Sequence, residues 1–374
     1  MKKKPKIVLI SNTANFFSSF ALKHIKELSK EYNLFVCCNN SIYLKKLIPN
    51  NVTLININFK RGVSLFHDIA AFLSTLFFFF KERPNLSISF TPKIGFIVLI
   101  VSFITRIPNR FHWFTGQIWA SKKGIVKLFL KSVDKFIFSL SHKVLVDGIS
   151  QRNFLIKQKV VSAKKSIVLN KGSLGGVNIK KFKFNNQIRN KLRKKLSINK
   201  NTFIFLYLGR INQDKGISQL LKAFKKINKE NDISLIFVGS IEDQTFKNQF
   251  KNKKNILYFN HTKNPEDWFS LADILCLPSY REGFGTVIIE AASCRTPALC
   301  SNIYGLKDSI IEGKTGFFHE VGNIDDIKKK MLYIINNKKL VKKYGFAARQ
   351  RVVKDFEQGL ITKKLLKFIN TNNI

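Results

Sequence analysis

Short apolar runs alternate along this chain with longer segments in which apolar residues recur every three or four positions. The first pattern predicts buried strands and the second predicts helices laid against a sheet. Ile7–Ile10, Leu34–Cys38, Val52–Ile57, Leu86–Phe90, Arg110–Thr115, Lys143–Asp147 and Ser166–Leu169 read as strands. Between them, Phe16–Ser29, Ser64–Phe80, Ile94–Ile104, Gly124–Leu140 and Ser150–Lys157 read as helices. The alternation stops in a basic, glycine-marked stretch over 173–201, which reads as a linker. It restarts with strands Phe203–Leu208, Ser234–Val238, Ile256–Phe259 and Ile274–Leu277, again separated by helical segments. Lys-rich helices at Ile324–Ile335 and Lys338–Val353 and a last one at Gly359–Phe368 end the chain. Strand–helix alternation of this kind predicts α/β architecture with doubly wound parallel sheets. The expected domains are 1–172 and 202–355, with 356–374 packing back toward the first. Two such Rossmann-like domains are expected to face each other, with ligands in the cleft at the carboxyl ends of the strands.

The densest chemistry follows the strand Ile274–Leu277. A loop, Pro278–Gly285, carries Glu282 and two glycines, and the helix after it carries Glu290. The start of that helix aims free N–H groups at the loop, an arrangement suited to an anion. Gly209-Arg210 follows the strand Phe203–Leu208, and Lys215-Gly216 opens the next helix. A guanidinium and an ammonium at one strand tip suit a diphosphate. His112 lies in the strand Arg110–Thr115, and His261 follows the strand Ile256–Phe259.

Charge changes the picture of partners. The chain has 65 Lys and Arg against 23 Asp and Glu, a formal net charge of +42. Residues 1–180 hold 29 of the bases and only 6 of the acids. That balance favours a polyanionic neighbour: nucleic acid, an anionic membrane surface or phosphorylated substrates. No nucleic-acid-reading module is visible, and such a protein would have no use for the Glu282/Glu290 pair. Lys127, Lys131 and Lys135 recur four apart on Gly124–Leu140, beside Leu128, Phe129, Val133, Phe136 and Ile137, the pattern of an interfacial helix. With Phe77–Phe80, this predicts peripheral contact with anionic lipid. No apolar stretch reaches the length of a membrane span. The five cysteines have no metal-ligand spacing and read as reduced core residues.

The pair G-R-x(4)-K-G at 209–216 with E-G-F-G-x(4)-E-A at 282–291 resembles glycosyltransferase family 4, retaining sugar-nucleotide transferases of the GT-B fold. Asn170–Phe182 is similar to that family's interdomain turn, with Asn178 where Asp is usual. H-W-F-T-G-Q-I-W at His112–Trp119 resembles a subgroup acting on lipid-linked oligosaccharides and surface polysaccharides. The resemblance implies that Arg210 and Lys215 neutralise the leaving diphosphate, and that Gly209 lies beside them. It implies that Glu290 receives the ribose hydroxyls and that Glu282 lies by the donor sugar. Backbone N–H groups of Gly283, Phe284 and Gly285 would approach sugar and phosphate, and His112 would contact the transferred sugar; His261, by its place after the strand Ile256–Phe259, is better placed near the base pocket than near the chemistry. The implied reaction moves a hexose or N-acetylhexosamine from a UDP-sugar to a lipid-linked or surface-glycan acceptor. The implied setting is the cytoplasmic membrane face, with no metal required. The loop Ser11–Asn15 lacks the glycine pair frequent there in the family. The usual G-G-x-x-E is Tyr304-Gly305-Leu306-Lys307-Asp308 here.

Overall fold

A computed structural model describes residues 4–60, 62, 64–227, 231–250 and 255–372. It divides into two compact units, residues 1–176 with 358–374, and residues 177–357. The strands are β1 (Lys6–Thr13), β2 (Asn33–Asn39), β3 (Thr53–Asn56), β4 (Leu86–Phe90), β5 (Asn109–Phe114), β6 (Lys143–Val146) and β7 (Ser166–Ile167). In the second unit they are β8 (Phe203–Leu208), β9 (Ile233–Val238), β10 (Ile256–Phe259), β11 (Ile274–Leu277), β12 (Ala298–Ser301) and β13 (Gly316–His319).

The first sheet runs β3-β2-β1-β4-β5-β6-β7 and the second β10-β9-β8-β11-β12-β13, and every named pairing is parallel. Strand order reverses once in each sheet, between β1 and β4 and between β8 and β11. Ligands of doubly wound sheets bind at such switch points. Both sheets are buried on two faces, so their strands are nearly continuous apolar runs. In β1, Ile7 and Leu9 join one core cluster while Val8 and Ile10 join another. The helix Gln358–Asn370 adds Ile361, Leu365 and Ile369 to the first of these. His24 ties that helix down, with Nδ1 2.8 Å from Thr362 Oγ1 and Nε2 2.7 Å from the Leu174 carbonyl.

The stretch expected as linker is largely structure. Asn186–Lys195 is a helix of the second unit, capped by Asn185, whose side chain accepts the Ile188 N–H. Arg189 donates to the carbonyls of Ser270, Leu271 and Ala272, the open end of the helix Pro265–Leu271, and to Asp273. Arg193 donates to the carbonyls of Asn199 and Thr202. This helix is held by guanidinium–carbonyl bonds, so it carries too few apolar residues to show as periodicity. The segment read as one helix, Phe16–Ser29, is two, Ala14–Phe20 and Leu22–Glu31. Where they meet, a side chain on Gly175 would strike the Phe20 carbonyl at 1.9 Å. Among the described residues no helix is long and apolar enough to cross a membrane.

Candidate active site

In the second unit, β8 and β11 are neighbours, and the loops leaving their carboxyl ends meet across the switch point. Gly216 has φ +66° and caps the helix Ile217–Lys225. A Cβ there would lie 2.1 Å from the Pro278 carbonyl, so only glycine lets this helix start against the Pro278–Gly285 loop. That closeness brings Lys215 Nζ to 2.5 Å from Glu282 Oε1, with both side chains largely buried. The same oxygen accepts from Ser279 Oγ at 2.8 Å. A second brace comes from behind: a Cβ on Gly305 would lie 2.0 Å from the Glu282 carbonyl. The Tyr304–Asp308 segment therefore backs the Glu282 loop.

Gly285, at φ +72°, caps the helix Thr286–Ser293, and among the described residues no side chain caps that N-terminus. Its first N–H groups stay available to an anion. Phe284 is buried with its ring 5.4 Å from that of Phe356, so only its backbone can serve a ligand.

Arg210 follows the β8 tip. Its carbonyl accepts from Tyr207 Oη at 2.6 Å, and its Nη1 donates to both oxygens of Glu242 at 3.0 Å. Asn212 Nδ2 donates to the same carboxylate at 2.9 Å. Glu242 comes from the loop after β9, which is bound to the β8 loop through Ile211 N–H to Ser240 O and Glu242 N–H to Ile211 O. Gly209 and Gly239 are the touching tips, since a Cβ on Gly239 would lie 1.8 Å from the Gly209 carbonyl. Each of the two site cations thus has a carboxylate partner. Glu242 was missed in the sequence. Its only signal was its place just past a strand tip that adjoins β8 in doubly wound order.

Glu290 lies in the helix Thr286–Ser293, half-buried, and its carboxylate accepts no hydrogen bond among the described residues. Burial pushes its carboxyl up to about 7; Lys181 pulls it down and Glu266 pushes it up by smaller amounts. Lys181 comes from the turn after Val177, where Asn178 Oδ1 accepts the N–H groups of Lys180 and Lys181. Asparagine does the work expected of aspartate there. His261 is exposed past the tip of β10, the edge strand, two strands from β8.

His112 sits inside β5 with no exposure, Nδ1 2.8 Å from Ser89 Oγ and Nε2 without a hydrogen-bond partner among the described residues. Its imidazole fills the space over Gly95, where a Cβ would lie 2.4 Å from the ring. Burial lowers its pKa to about 3. Strand alternation turns position 112 onto the Pro92–Ile104 helix, so its imidazole packs in the core. The end of β5 holds a polar network: Gln151 Nε2 donates to the Thr115 carbonyl and, at 2.9 Å, to Gln117 Oε1. Asp147 accepts from Trp113 Nε1 at 2.9 Å, and its buried carboxyl is pushed up to about 7.

Residues 188–351 match the family model described as "Glycosyl transferases group 1". The capsular polysaccharide biosynthesis glycosyltransferase CapM of Staphylococcus aureus is 31% identical over 322 residues, 84% of each chain. An N,N'-diacetylbacillosaminyl-diphospho-undecaprenol alpha-1,3-N-acetylgalactosaminyltransferase of Campylobacter jejuni is 22% identical over 97% of each. The solved structure of Anabaena Alr3699/HepE in complex with UDP and glucose superposes with a TM-score of 0.79 at 16% identity, over 98% of this chain and 100% of that one. That likeness establishes the GT-B fold, two Rossmann-like units. With close to a third of positions shared along most of both sequences, the chain belongs to the group 1 glycosyltransferases and is a glycosyltransferase enzyme.

Proposed function

We propose that this enzyme transfers a hexose or N-acetylhexosamine from a UDP-sugar, with retention, to a lipid-linked or surface-glycan acceptor. The setting is polysaccharide assembly at the cytoplasmic face of a membrane, to which the protein binds peripherally. The observation that carries the reading is the switch-point pair Lys215–Glu282, with Arg210 on the same strand tip and the uncapped helix at Gly285 nearby. Two cations and a helix N-terminus supply positive charge for a departing diphosphate, and the reading needs no metal for it. Donor binding then exchanges partners: phosphate oxygens replace Glu242 on Arg210, and Glu282, released from Lys215, accepts from a sugar hydroxyl. Glu290, lacking a hydrogen-bond donor, accepts from the ribose hydroxyls.

In this scheme the bond from the anomeric carbon to the phosphate oxygen breaks. The acceptor oxygen forms its bond on the same face, and its proton passes to the leaving phosphate. The acceptor class is supported by what the Staphylococcus and Campylobacter proteins are named for, and the donor by the UDP and glucose in the Anabaena structure. A panel of nucleotide sugars, read by nucleotide release and heat stabilisation, tests the donor. One UDP-sugar should stand out, and release from it should fall by about a hundredfold or more in Arg210→Ala and Lys215→Ala. Unchanged turnover in the double variant would refute the clamp.

A further inference from the structure

We infer that the first unit carries a lipid-docking face made of three helices, Leu65–Glu82, Pro92–Ile104 and Gly124–Leu140, whose partner is a bilayer rich in anionic headgroups. The inference deepens the peripheral-membrane reading above. It stands on the exposed side chains, and its test needs no sugar transfer.

The three helices follow β3, β4 and β5 and lie side by side on one face of the first sheet. The first has an apolar stripe on each side. Ala71, Thr75, Phe78 and Phe79 are buried against the sheet. Phe66, Ile69, Leu73, Phe77 and Phe80 point outward, with Phe66 80% and Phe77 73% exposed. Their spacing of three and four keeps them in one line, about 21 Å long at the helical rise. A helix apolar all round is ordinarily buried all round, and this one has a sheet on one side only.

The stripe continues on the neighbours. Phe96 and Phe103 are exposed on the middle helix, and the Phe96 ring lies 5.6 Å from that of Phe136 on the third. There, Ile125, Leu128 and Phe129 also point outward, while Asp134 and Ile137 are the positions turned inward. Such a run of large exposed side chains marks an interaction surface.

Charge selects the occupant. The three helices contain only three acids, Asp68, Glu82 and Asp134. Asp68 pairs with Lys93 at 2.5 Å and Glu82 with Lys6 at 2.8 Å. Asp134 is buried and accepts from Trp119 Nε1 at 2.7 Å. No carboxylate on these helices is left unmatched, whereas Lys122, Lys123 and Lys135 are exposed beside the aromatic stripe. Apolar rings to enter the acyl boundary and ammonium groups for headgroup phosphates are the chemistry of an interfacial surface. A second copy of the chain would bring the same lysines against these and is disfavoured.

The test is flotation with vesicles of phosphatidylcholine alone or mixed with phosphatidylglycerol, at low and high salt. The variants are Phe66→Ser/Phe77→Ser/Phe129→Ser and Lys122→Gln/Lys123→Gln/Lys135→Gln, each checked for folding by circular dichroism and by UDP binding. The expected result is binding to the mixed vesicles that falls by at least about tenfold in either variant and on neutral vesicles. UDP affinity should be unchanged. Wild-type binding that ignores lipid charge, or Phe variants that float like wild type, would overturn the inference. So would concentration-dependent self-association abolished by the Phe substitutions, which would assign the face to a second copy. Loss of UDP binding in wild type would count against the transferase reading alone.

Discussion

Replacing Glu290 with glutamine removes a charge that the fold holds at a cost. The side chain is half-buried without a hydrogen-bond donor among the described residues, and its pKa stands at about 7 against an ordinary 4.5. At about 1.36 kcal/mol per pH unit, that rise corresponds to about 3 kcal/mol, which solvent screening of a half-buried group trims to about 1–3 kcal/mol. The sign follows from proton counting. Below pH 4.5 the group is neutral both folded and unfolded and contributes nothing. Between 4.5 and about 7 the folded state holds a proton that the unfolded chain releases, so stability falls as pH rises. Above about 7 the loss is complete. Glu290→Gln should therefore match wild type near pH 4 and exceed it by about 1–3 kcal/mol at pH 8. Urea denaturation at both pH values measures this. The same substitution should weaken UDP binding by about tenfold at pH 8, because an amide is a poorer acceptor for two hydroxyls than a carboxylate. Equal stability of the two proteins at pH 8 would refute the claim that Glu290 is held ionised at a cost. Unchanged UDP affinity would remove it from the ribose.

Three further outcomes are expected. Glu242→Gln removes the charge that competes with diphosphate for Arg210, so UDP should bind about three- to tenfold more tightly by calorimetry; the gain should vanish in an Arg210→Ala background. Gly305→Ala places a Cβ 2.0 Å from the Glu282 carbonyl, so the loop must shift. Donor turnover should fall by about tenfold or more and stability by about 1–3 kcal/mol, read by nucleotide release and denaturation. His112→Ala should cost about 2–4 kcal/mol of stability by opening a cavity over Gly95, yet leave kcat of the folded enzyme within about twofold; a loss of turnover without a loss of stability would return His112 to the site.

The strands most clearly announced by the sequence are those buried on both faces. Leu86–Phe90, Phe203–Leu208 and Ile274–Leu277 are found at the predicted bounds. Apolar runs of that length have few other ways to hide from water. The helix Asn186–Lys195 was illegible because arginine–carbonyl bonds hold much of it and Leu192 is its one side chain packed on the apolar core among the described residues. The burial of His112 was not legible either, because its side of the strand depends on a register that one residue reverses.

By itself, then, the sequence determined the alternation of strands and helices, the boundary region between two α/β units, and the residue types expected for a diphosphate and a ribose. Those follow from local periodicity and from the chemistry each side chain can offer. Tertiary structure decided what each group meets. It placed Lys215 on Glu282 and Arg210 on Glu242 because β8 lies between β9 and β11, an order that no local pattern carries. It also turned the second apolar stripe of Leu65–Glu82 outward, because the sheet covers a helix on one side only. Periodicity shows that a residue is apolar and on which side of its helix it lies, but only packing shows whether that side faces the protein or its surroundings.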